Sequence, residues 1–119
     1  MIPRGYQRLP LSATGRHIWK VEISFHGAAG EVTGSKHLLR IADGRSLLLD
    51  CGMFQGRGKE TDPLNRHFGF DPMEPGALVL SHAHIDHSGL IPRLVKEGFN
   101  KTIWCTPGTK EIVEILLFD

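Results

Sequence analysis

The chain has 119 residues, of which 40% are hydrophobic and 23% charged, the proportions of a folded domain and not of a disordered or collagen-like chain. Fourteen Lys and Arg against thirteen Asp and Glu leave a net charge of +1, so any nucleic-acid, membrane or acidic partner has to be argued from a local site. The longest apolar runs, Leu47 to Leu49 and Ala77 to Leu80, fall well short of the ~20 residues that cross a bilayer. The opening Met1-Ile2-Pro3-Arg4-Gly5 lacks the apolar core of a secretory signal, which makes the cytoplasm the expected compartment.

Residues 1–16, rich in Pro, Gly, Arg and Ser without periodicity, read as a flexible leader, and 17–119 as a single domain. Trp19, Val21, Ile23 and Phe25 alternate with Lys20, Glu22 and Ser24, the pattern of a strand with one buried and one wet face. A tight glycine-rich connection, Gly27 to Ser35, follows. The apolar runs His37 to Ile41 and Ser46 to Leu49 flank Asp43-Gly44, which predicts a hairpin closed by a type I′ turn. Gly52 to Gly76, rich in Gly, Pro and charge, is long for a connection in a small domain and is expected to be functional or mobile.

Ala77 to Leu80 then reads as a strand covered on both faces. Leu90, Ile91, Leu94 and Val95 recur at helical spacing, with Pro92 in the first turn and Gly98 as the stop. Ile103-Trp104-Cys105 reads as a further strand. Thr106 as N-cap and Pro107 in the first turn open a second helix, for which Ile112, Ile115 and Leu116 are the expected apolar stripe. Strand, helix, strand, helix after a hairpin predicts an α/β fold with a mixed sheet. The apolar tail at Leu116-Leu117-Phe118 suggests part of a larger fold.

Directly after the strand at 77–80 comes Ser81-His82-Ala83-His84-Ile85-Asp86-His87-Ser88-Gly89, with three imidazoles and one carboxylate inside six residues. These are the ligands of zinc and its borderline neighbours. In extended backbone His82 and His84 point to one side and suit a single ion. Asp86 and His87, where the chain turns into helix, are offset toward a second. Two ions about 3.5–4 Å apart can activate water and hold the oxygens of a phosphoryl or acyl group. Singly, Asp86 would read as a helix N-cap and each histidine as a solvated side chain; their clustering between a buried strand and a helix points to metal. Asp50, at a strand end beside Cys51-Gly52, faces the same cleft or simply terminates its strand. Cys51 is a thiolate ligand or, more in keeping with its context, a small buried hydrophobe. His26, His37 and His67 are scattered and read as structural or solvated, and Gly27 to Ser35 is a weak match to an anion cradle.

The string His82-Ala83-His84-Ile85-Asp86-His87 resembles the H-x-H-x-D-H signature of the metallo-β-lactamase superfamily. Gly27 to Ser35, Leu48 to Gly56 and Phe70-Asp71-Pro72 are similar to motifs of its β-CASP branch of RNA-processing nucleases. The resemblance runs from about Val21 to the last residue. It implies an αββα sandwich with an inserted β-CASP domain, two zinc ions, and hydrolysis of RNA phosphodiester bonds, endonucleolytic or exonucleolytic. By the same resemblance His82 and His84 would bind one zinc, Asp86 and His87 the other; Asp86 would help orient the nucleophile, and Asp50 would support the site from behind. The family also requires a further histidine, a bridging aspartate and a late histidine. The chain therefore looks like the N-terminal half of one sandwich, inactive as an isolated segment, with single-stranded RNA as substrate of the intact enzyme. Alternatives are a thioester or lactone hydrolase of the same superfamily, or a non-catalytic fragment that pairs with itself or with a complementary C-terminal half.

Overall fold

A computed structural model describes residues 20–117; the expected leader and Trp19 lie outside them. Five strands form one sheet in the order β1-β2-β3-β4-β5: β1 Val21–Phe25, β2 His37–Ile41, β3 Ser46–Leu49, β4 Leu78–Val79 and β5 Ile103–Trp104. The pairs β1–β2 and β2–β3 are antiparallel, whereas β3–β4 and β4–β5 are parallel. Parallel neighbours need crossovers. The first contains α1 (Thr61–Asn65), the second α2 (Ile85–Ser88) and α3 (Ile91–Lys96), and α4 (Pro107–Leu116) follows β5. The sheet is mixed and the fold α/β, as the sequence predicts.

The register places Leu38 opposite Leu48 and Leu48 opposite Leu78, so one row of fully buried leucines crosses three strands. Onto it pack Leu90, Ile91 and Leu94 at the start of and within α3, with Phe99, Phe68 and Cys51. Each such side chain removed from water contributes about 1.5–3 kcal/mol, which is why the hairpin, β4 and α3 hold together. Gly98, at φ +119°, ends α3 as expected.

Three expectations need correction. The hairpin turn is not type I′, which needs positive φ at both central residues. Only Gly44 has it, at +85°, while Gly44 N–H bonds Ile41 O and Ile41 N–H bonds Arg45 O. This is a three-residue loop with glycine in the left-handed position. The 52–76 connection, in keeping with the first of its two alternatives, functional or mobile, holds ordered structure: a 3-10 turn over Gly58–Glu60 runs into α1, and Phe54, Asn65, Phe68 and Pro75 are buried. On β1, Val21, Ile23 and Phe25 are 50%, 49% and 61% exposed, because nothing among the described residues covers that face of the sheet. A groove of about 580 Å³ along Leu39, Ile41, Leu47 and Ala77 lies on the sheet beside Glu74, remote from the histidines. Finally, the inward stripe of α4 is Thr109, Val113 and Leu117, at i, i+4 and i+8, and the expected Ile112, Ile115 and Leu116 face outward at 52%, 74% and 43% exposure.

Candidate metal centre

The site forms where two neighbouring parallel strands end. β3 runs out at Leu49, and Asp50 continues the ladder with its N–H on Val79 O before its backbone turns to φ +60°. A short polar side chain tolerates that left-handed region better than most. The turn swings the carboxylate under the end of β4, where it accepts from Ser81 N–H (2.7 Å) and Ser81 Oγ (2.8 Å) and meets His87 Nδ1 at 2.8 Å. Asp50 is buried, and these partners supply the hydrogen bonds a buried carboxylate needs.

The histidine segment leaves β4 extended and turns at His84 into α2, whose first turn is closed by His87 and Ser88 N–H on His84 O. It is moored by main chain. Ser35 N–H bonds Asp86 O, Cys51 N–H bonds His87 O, Met53 N–H bonds Ile85 O, and Leu90 N–H bonds Cys51 O, all at 2.8–3.0 Å. The approach is so close that a Cβ on Gly52 would lie 1.6 Å from Asp86 O, so only glycine fits there. Ser88 Oγ donates to Ala83 O from a fully buried position.

This framework brings His82, His84 and His87 together: the His82 ring centroid lies 4.0 Å from His87 and 4.8 Å from His84. His87, expected offset from the first pair, is thus the nearer neighbour of His82. The hydrogen bonds also choose the tautomers. An ionised carboxylate only accepts, so His87 Nδ1 donates to Asp50; Ser81 Oγ–H points to Asp50 and therefore accepts from His82 Nδ1 at 2.9 Å. In their neutral forms both rings would then present the Nε2 lone pair, the form a metal ligand needs. Asp86 Oδ2 lies 3.5 Å from His87 Nε2. The donor chemistry fits a borderline cation. Among the described residues no three His, Cys, Asp or Glu side chains converge, as they stand, to hold an ion.

Cys51 is fully buried, and burial pushes its thiol up to about 12, so it sits in the core as a neutral thiol. His26 and His37 pack edge-on against Phe70 and Phe25, each with a buried Nε2 that has no hydrogen-bond partner among the described residues, and His67 is exposed. Burial, then Arg40 and Lys36, hold the His26 imidazole below its usual range. Gly27 to Ser35 folds on itself, Ala28 N–H to Thr33 O, with positive φ at Ala28, Gly30 and Gly34.

Sequence reasoning missed Ser81 and Lys36. Ser81 carries no pattern of its own. Lys36 does: the period of two that puts Leu38 inward puts Lys36 on the same face.

Residues 30–116 match the model of the metallo-beta-lactamase superfamily, and the chain belongs to that superfamily. Its relatives are those expected of the β-CASP resemblance. A ribonuclease of Thermus thermophilus is 53% identical over 93 residues, covering 78% of this chain and 21% of the relative. The transcription termination factor FttA of Methanosarcina mazei is 32% identical over 114 residues, 95% of this chain and 18% of that one. The chain thus spans about a fifth of the length of these curated relatives. Among solved structures, a flavo di-iron protein mutant from Thermotoga maritima superposes with a TM-score of 0.53 at 22% identity, over 82% of this chain and 22% of that one, a likeness of fold alone. No helix among the described residues is long and apolar enough to cross a membrane.

Proposed function

We propose that this chain carries the histidine-rich half of the metal site of a ribonuclease that hydrolyses phosphodiester bonds in single-stranded RNA. The observation that carries the reading is the packed trio of imidazoles, two of them held at Nδ1 by hydrogen bonds and backed by one buried carboxylate. The similarity to a named ribonuclease, at 53% identity, supports the choice of RNA. His82 and His84 would hold one zinc, Asp86 and His87 a second. Zinc there would supply Lewis acidity, making water more acidic and neutralising charge on phosphoryl oxygens.

The protein's own residues do the rest. Asp50 fixes His87 and, through Ser81, His82, so neither ring has to be reoriented during the reaction. Asp86, beside His87 Nε2, would help orient an attacking water. The intact protein should cut single-stranded RNA, lose that activity to a chelator, regain it with zinc, and lose it again in His82→Ala and His84→Ala. The isolated 119-residue chain, about a fifth of the length of its relatives, should show negligible turnover. Turnover of acyl thioesters or lactones with RNA left uncut would overturn the proposal.

A further inference from the structure

Lys36 has no accessible surface, yet it carries an ammonium. Its Nζ donates to Gly34 O at 3.0 Å and to Gly52 O at 2.8 Å, and sits 4.4 Å above the centre of the Phe54 ring. Those carbonyls belong to different loops. One loop, Gly27 to Ser35, reaches the histidine segment through Ser35 N–H on Asp86 O; the other, Asp50 to Phe54, reaches it through Cys51 and Met53 N–H on His87 and Ile85 O. Gly52 N–H on Ser35 O and Gln55 N–H on Thr33 Oγ1 add cross-links between the same loops.

A buried cation is costly to keep, and burial pulls the Lys36 ammonium down to about 8. Two buried carbonyls with no other partner would also be costly. An apolar side chain at position 36 would avoid the first cost but not the second. The Phe54 ring lies over Gly34, where an added Cβ would come within 2.7 Å of it.

We propose that Lys36 is a positioning residue, clamping the 27–35 and 50–54 loops at the separation that seats Asp50, Asp86 and His87. Its effect on turnover rests on the hydrolytic reading of the histidine cluster; its clamping role does not. The test pairs Lys36→Met, which keeps the stem and removes the donors, with Lys36→Gln, which restores a donor without charge.

Amide hydrogen exchange reads the clamp directly. In Lys36→Met the Ser35, Cys51 and Gly52 amides should exchange about tenfold faster while Leu48 and Leu78 in the sheet change little, and Lys36→Gln should recover part of the protection. Equal acceleration at loop and sheet amides, or none, would overturn the proposal, and Lys36→Gln alone decides it if the Met variant does not fold. In the intact protein, RNA cleavage by Lys36→Met should lose about tenfold in kcat with KM within about twofold. A loss in KM alone contradicts the clamp, whereas a wild-type protein that leaves RNA uncut counts against the proposed function and leaves the exchange result standing.

Discussion

At the level of single residues, Asp50 joins backbone geometry to chemistry. Its left-handed φ and its three polar contacts to Ser81 and His87 depend on each other: without the turn the carboxylate could not reach under β4, and without the contacts the turn would not be held. Asparagine tolerates the same φ but offers one acceptor oxygen instead of two. If the proposed function holds, Asp50→Asn in the intact protein should stay folded while RNA cleavage or metal affinity falls about 10–100-fold, as a titration of bound zinc and a cleavage assay would record. Asp50→Ala combines a strained backbone with unpaired donors and should also lower stability, by about 1–3 kcal/mol in a urea melt.

At the level of elements, α4 shows what periodicity can and cannot choose. Its sequence carries apolar residues on more than one side; Val113 and Leu117 turn inward and Ile115 outward. Val113→Ala should cost about 1 kcal/mol or more in the 119-residue chain, and Ile115→Ala should stay within about 0.5 kcal/mol, which chemical denaturation of the two variants will separate. Strands β2 to β5, α3 and the N-cap of α4 at Thr106, whose side chain accepts from Thr109 N–H, were legible because each rests on local pattern. The choice of inward stripe was not, since it depends on where the helix docks. The turn type escaped because Asp-Gly suits two loop geometries and only the strand register decides between them. The histidine cluster was legible from spacing alone, whereas the tautomer-setting role of Ser81 needed the carboxylate from a strand 31 residues away.

At the level of the whole molecule, two buried groups give stability a shape in pH. Lys36 titrates near 8 in the fold against 10.5 when exposed, so the unfolded chain holds the extra proton between those values and stability rises with pH there. Cys51 does the reverse: folded it keeps its proton to about 12, unfolded it loses it near 9, so stability falls across that interval. Together they predict a rise from pH 8 to 9, on the order of 1 kcal/mol, a level stretch while the two oppose, then a decline above pH 10.5. Urea midpoints across that range should follow this course, and Lys36→Met should lose the initial rise.

The main-chain mooring of residues 85–90 has one more consequence. Those bonds use peptide groups and not the side chains of Asp86 and His87, so the backbone that presents these two does not depend on them, whereas Ser88 and Leu90 are held by their own side chains. Positions 86 and 87 can therefore change by point substitution while the address stays fixed, which makes this corner a starting place for grafting coordinating side chains into an otherwise unchanged scaffold.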